Sequence, residues 1–230
     1  MQTQFPMTGQ ATQTRALQQN RVLRNTYLLL AISMIPTVAG AVLGINMGFS
    51  LFAGSPMVSF LVFLGIAFGF MWGIERTKHS GMGVVLLLGF TFFMGLMLSR
   101  ILQVALGFSN GASLIATAAG GTGAIFFTLA GIATVTKKDF SFLGKFLFVG
   151  LVVILLAMVA NIFFQIPALS LTISAVAVLL FSGYILFDIS RIVNGGEDNY
   201  ITATLAVYLD IYNLFMHLLN LLMAFAGNRE

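Results

Sequence analysis

Two aspartates, Asp188 and Asp210, stand inside long runs of apolar residues, whereas Glu75, Asp139, Glu197, Asp198 and Glu230 fall in loops or at the ends of such runs. A charged aspartate at the centre of a membrane helix costs roughly 2.5–3.5 kcal/mol on insertion scales, so it faces protein or water and marks a functional position by default. Two carboxyls meeting in a poorly hydrated site cannot both ionise cheaply; the pair takes up and releases protons in coupled steps. That is the chemistry of a proton sensor. A guanidinium beside the pair would clamp its ionised form and protonation would free it, giving a path whose oxygen ligands suit a hard cation such as calcium.

The other polar residues of the same stretch are arranged, not scattered. Asp210, Asn213, His217 and Asn220 fall at about 0°, −60°, −20° and −80° on a helical wheel, one narrow stripe. Such a stripe can line a path, or it can supply interhelical hydrogen bonds that hold a bundle together. Tyr184, Asp188 and Arg191, at i, i+4 and i+7, share a side, so Asp188 can pair with Arg191 on its own helix or engage a different one. Gly195-Gly196 predicts a tight turn that makes the two helices antiparallel neighbours. Asp188 lies about eight residues before that turn and Asp210 about fourteen after it, a mismatch of roughly 9 Å along the axis, so spacing alone does not bring them together. His217 titrates near neutrality if hydrated and otherwise serves as a packing residue. His79 reads as a solvated loop residue and Trp72 as an interfacial anchor.

The elements that must position these side chains are membrane spans. The chain is 59% apolar and 8% charged, against about 25% charge in soluble domains, which excludes a water-soluble fold. Apolar runs at about 27–46, 57–74, 82–99, 112–135, 146–164, 168–188 and 201–225 are each long enough to cross a bilayer. Gly54-Ser55-Pro56, His79-Ser80-Gly81, Asn110-Gly111, Lys137-Lys138-Asp139, Pro167 and Gly195-Gly196 punctuate them. The expected fold is all-α: a polytopic membrane bundle of seven transmembrane helices spanning 27–230, preceded by a polar tail, residues 1–26. Nine of the eleven Lys and Arg residues alternate onto one side, in the tail, around Arg76 and Lys78, at Lys137, Lys138 and Lys145, and at Arg191; Arg100 and Arg229 are opposite. The positive-inside rule then puts the N-terminus in the cytoplasm and the C-terminus outside, in the periplasm of a bacterium.

Several chemistries are excluded by composition. Without cysteine there are no disulfides or thiolate sites, and two histidines leave little for a metal. Gly120, Gly121 and Gly123 follow no strand and precede no Lys-Ser/Thr, so they are not a phosphate loop. No nucleophile is paired with a base, so we expect no enzyme, cofactor or nucleic-acid partner. Gly40, Gly44 and Gly48 in the first span, and Gly65, Gly69 and Gly73 in the second, form ladders at four-residue spacing that allow close helix packing, within one molecule in preference to between copies.

Three runs carry a likeness that extends over essentially everything after the tail. Lys137-Lys-Asp-Phe-Ser-Phe-Leu-Gly144, Gly183-Tyr-Ile-Leu-Phe-Asp188 and Tyr208-Leu-Asp-Ile-Tyr-Asn-Leu-Phe215 resemble the Bax-inhibitor family of seven-helix membrane proteins. Val22-Leu-Arg-Asn-Thr-Tyr27, Val159-Ala-Asn-Ile-Phe-Phe-Gln-Ile-Pro-Ala168 and Gly195-Gly-Glu-Asp-Asn-Tyr-Ile201 look most like its bacterial YccA-type branch. The resemblance implies a multi-pass protein of the bacterial inner membrane. It also implies a pH-sensitive calcium or cation leak, with Asp188 and Asp210 on the family's aspartate pair and the arginine latch near Arg76; the residues themselves offer Arg191 for that role. The branch implies an alternative, an interaction partner that modulates the FtsH membrane protease.

Overall fold

The computed structural model describes residues 8–49 and 56–227, and within these the chain forms seven helices and no strand. They are α1 (Thr8–Asn46), α2 (Pro56–Thr77), α3 (Gly81–Leu106), α4 (Gly111–Thr136), α5 (Leu143–Phe164), α6 (Pro167–Val193) and α7 (Tyr200–Gly227). Each has a stretch long and apolar enough to cross a membrane. The expected turn at Gly54-Ser55, the cation Arg229, the acid Glu230 and the side chain of Arg15 lie outside the described residues.

Helix boundaries follow local chemistry. Pro167 opens α6, where its missing N–H is not needed. The α5–α6 connection is correspondingly short: Gln165 closes α5 in the left-handed region, and Asn161 Oδ1 accepts from the Ile166 N–H. Asn199 caps α7, its Oδ1 accepting from the N–H groups of Ile201 and Thr202. Residue 26 is no break in the backbone. Between Gly9 and Pro36 the sequence has neither glycine nor proline and is rich in Gln, Ala, Leu and Arg, so α1 runs unbroken from Thr8 into its span.

Polarity sets the layering. α7 carries the polar stripe and is contacted by α1, α3, α4 and α6, while α2 and α5 pack less of their surface and present apolar side chains outward. The two glycine ladders part company here. A Cβ on Gly40 would stand 2.2 Å from Phe92 O, and one on Gly95 of α3 would stand 2.1 Å from Thr37 O, so the first ladder is where α1 and α3 meet backbone to backbone. Gly65 and Gly69 face open space.

The loops of the basic end are tied together. Asn199 Nδ2 donates to Lys78 O at 2.8 Å, joining the α6–α7 loop to the α2–α3 loop. Ser190 Oγ and Asn194 Nδ2 donate to Lys138 O at 3.0 and 3.2 Å, and Phe140 N donates to Ser190 Oγ at 3.0 Å, joining the α4–α5 loop to α6. Ser141 donates its backbone N–H to Asp139 Oδ1 at 2.8 Å, and with the Ser141 hydroxyl this holds the Asp139 carboxyl below the usual aspartate range.

Candidate functional site

Asp188 and Asp210 face each other across the α6–α7 interface, their carboxyl groups within side-chain hydrogen-bonding reach. Asp210 is 5% exposed, and its Oδ2 has no hydrogen-bond partner among the described residues. The six-residue mismatch does not keep them apart, and the connection between the helices is six residues long, 194–199. Residues 194–199 wrap around the Arg191 side chain, whose Nη2 donates to Gly196 O at 3.3 Å, instead of reversing the chain in two residues. Gly195 makes that path possible: its φ is +77°, and a Cβ there would strike Gln19 of α1.

Arg191 is the cation of this site. Its Nη1 lies 3.8 Å from Asp188 Oδ1, its Nη2 lies 3.8 Å from Glu197 Oε2, and the guanidinium sits over the Phe187 ring at 5.6 Å. Glu197 is held in turn, because its Oε1 accepts from the Asn199 N–H and the Thr202 hydroxyl. Arg76 is not brought to the carboxyls. Its guanidinium lies 5.0 Å above the exposed Trp72 ring, and no ion pair among the described residues joins it to either aspartate. The physical reason is its place on α2, a peripheral helix that packs mainly on α3.

The polar stripe of α7 divides. Asn213 returns its side-chain N–H to Leu209 O at 2.7 Å, one turn back on its own helix. His217 Nδ1 lies 3.3 Å from Ser174 Oγ of α6, Asn220 Nδ2 donates to the same oxygen at 2.8 Å, and the His217 ring stacks on Phe181. Ser174, His217 and Asn220 line a cavity of about 460 Å³ toward the end opposite the basic loops, shared with Asn161, Ser170 and Phe60. Phe181 and Leu214 lie between that cavity and the carboxyl pair along the two helices.

Two participants escaped the sequence reading. Ser174 stands two heptads before Asp188, with Phe181 midway, so a face count along α6 would have put all three on one side. Glu197 lies six residues beyond Arg191 across the glycine turn and carries no periodic signal, since loop geometry alone returns it to the guanidinium.

Comparison with known proteins places this architecture. The sequence profile of the family described as "Inhibitor of apoptosis-promoting Bax1" matches residues 19–227. The chain belongs to the Bax inhibitor family. It is 42% identical over 213 residues to the "Modulator of FtsH protease YccA" of Escherichia coli K12, covering 91% of this chain and 92% of that protein. The counterpart in E. coli O6:H1, named "Inner membrane protein YccA", is equally similar. An uncharacterized protein of Neisseria meningitidis serogroup A is 43% identical over 211 residues, 91% of this chain and 93% of its own length. As a Bax inhibitor family member this chain is a multi-pass membrane protein with the carboxyl pair on its sixth and seventh helices.

Proposed function

We propose that the protein is a proton-gated cation leak of a bacterial inner membrane, with its N-terminus cytoplasmic, in which the Asp188–Asp210 pair is the sensor and calcium a fitting passenger. The observation that carries this reading is the pair itself: two carboxyls facing each other, one oxygen unpartnered, with a guanidinium on the side of Asp188 only. A shared proton satisfies both carboxyls. Loss of that proton leaves two charges in a site with one cation, and their repulsion is relieved by moving α6 against α7 or by admitting a cation. The polar cavity at Ser174, His217 and Asn220 supports an approach from the opposite end, with Phe181 and Leu214 as the apolar plug between. Arg191 is the latch in this reading. The test is calcium flux into proteoliposomes across a pH series. Wild type should change its flux with acidification and Asp210→Asn should lose most of that response; an unaltered pH profile in the variant defeats the proposal.

A second reading rests on the relative named as a modulator of FtsH protease. In it the chain engages a membrane protease through its N-terminal helix and spans. Crosslinking in native membranes followed by co-purification should recover FtsH with this protein, and its absence where known FtsH partners are retained removes the reading.

A further inference from the structure

A second cavity, larger than the one at Ser174, lies away from the carboxyl pair. It is a groove of about 1020 Å³ between α1 and α4, floored by α3 and α7, and α1 and α4 do not pack along each other. That volume is at the upper end of the ~300–1,000 Å³ usual for ligand pockets. On α1 the lining runs from Tyr27 to Ile45, about 27 Å of helix, close to the hydrocarbon thickness of about 30 Å. Val38, Phe127 and Val135 stand exposed on its flanks, so it opens sideways into the bilayer, and no charged side chain lines it. The Thr122 hydroxyl, at mid-depth, has no partner among the described residues; a helical threonine can turn such a hydroxyl to the carbonyl one turn back, as Thr134 does to Ala130 O.

The ends of the groove differ. At the basic end Tyr27 of α1 reaches Thr134 of α4, and beyond them stand three exposed cations. Arg24 continues the seven-residue row 24, 31, 38, 45, whose last three members line the groove, and Lys137 and Lys138 follow the last turn of α4. Asp139 follows Lys138 in the chain, and its carboxylate already accepts from the Ser141 N–H. A full-thickness apolar slot below a cluster of cations matches a molecule with hydrocarbon tails and a negative headgroup. A second copy of this chain fits worse. Sharing the same orientation in the membrane, it would bring its own basic end against this one.

We propose that the α1–α4 groove is a binding site for an anionic phospholipid, its tails between the helices and its phosphate at Arg24, Lys137 and Lys138. The site is independent of the carboxyl-pair reading.

Native mass spectrometry of the full-length protein in detergent, titrated with phosphatidylglycerol or with phosphatidylcholine of the same chains, tests it. Wild type should retain phosphatidylglycerol in preference. Replacing Arg24, Lys137 and Lys138 by Gln should erode that preference by about fivefold per cation, the effect of one charge near an anionic surface. A Cβ added at Gly123 or Gly131 meets nothing within 4 Å along the groove, so Gly123→Leu with Gly131→Leu projects side chains into it and should reduce binding of both lipids. A helical circular dichroism spectrum matching wild type shows that each variant is folded. Equal retention of the two lipids by wild type, unchanged binding in the filled-groove variant, or a dimer that forms in wild type and is lost in that variant would each overturn the proposal.

Discussion

Gly95→Ala and Gly69→Ala are the same chemical change on two membrane helices, and the structure assigns them opposite signs. A methyl on Gly95 would lie 2.1 Å from Thr37 O and 2.9 Å from the Thr37 carbonyl carbon, both backbone atoms of α1. Backbone cannot rotate aside as a side-chain tip can. Ordinary contact therefore requires α1 and α3 to separate by roughly 1 Å along an interface that Gly40 already brings to backbone contact with Phe92. Overpacking of this kind costs about 1–3 kcal/mol. Separation also strains the hydrogen bond between Thr37 and Tyr208, which links α1 to α7 at 2.9 Å. Against this stands the gain of about 0.8–1 kcal/mol from replacing a helical glycine by alanine. Gly95→Ala should lose up to about 2 kcal/mol net, whereas Gly69→Ala, with nothing within 4 Å of the new methyl, keeps the propensity gain alone.

The assay is reversible unfolding in mixed detergent micelles, followed by helical circular dichroism, with both variants measured beside wild type. The propensity gain is common to both, so the two substitutions should differ by the overpacking cost, about 1–3 kcal/mol. Agreement between them within about 0.5 kcal/mol, the scatter of substitutions that touch nothing, would refute the backbone-contact argument.

Tyr208→Phe tests the polar ties of α7: the Tyr208 hydroxyl shares a 2.9 Å hydrogen bond with the Thr37 hydroxyl and lies 3.4 Å from Thr91 O, and its loss should cost about 0.6–1.7 kcal/mol in the same unfolding assay. A loss above about 3 kcal/mol would mean that the ring itself had been displaced. Asp139 should titrate below the usual aspartate range when followed by its side-chain carbon resonance, and Ser141→Ala should move the midpoint upward. The sign follows from a lowered folded-state value: this contact stabilises the loop above about pH 4 and is lost as the pH falls through the folded-state midpoint, and an unmoved midpoint in Ser141→Ala contradicts the assignment.

What could be read from the chain depended on whether the physics was local. Seven spans follow from hydrocarbon thickness, and the helices begin and end near the punctuation that Pro167, Asn110-Gly111 and Lys137-Lys138 provide. The stripe on the last helix was visible because four polar side chains share one face. Register was not, since residue counting assumed a two-residue reversal at Gly195-Gly196 where the chain uses six residues, 194–199, that return Gly196 O and Glu197 to Arg191. Nor could the ladders be told apart. Gly40-Gly44 and Gly65-Gly69 have the same spacing, yet α1 turns its pair toward α3 while α2 turns its pair away into open space. Arg76 and Arg191 were equivalent as cations near span ends; the placement of α2 at the periphery and of α6 against α7 separates them.

The pattern of ties constrains how the proposed carboxyl switch could move. At the basic end, α6 and α7 are anchored through Ser190, Asn194 and Asn199 to two neighbouring loops by backbone-directed hydrogen bonds. The hydrogen bonds linking the other halves of these helices, from His217 and Asn220, converge on Ser174, and an apolar ring stack adds to them. Three pinned contacts against one shared hydroxyl make the latter the softer end. A change of charge at Asp188 and Asp210 would therefore open the bundle away from the basic loops, pivoting about them, and the first contacts to yield would be those of Ser174 and the Phe181–His217 stack. Under that mechanism Ser174→Ala, which removes the shared acceptor without touching a carboxyl, should shift the pH dependence of flux while Asn194→Ala at the anchored end should not; equal shifts from both would place the hinge elsewhere.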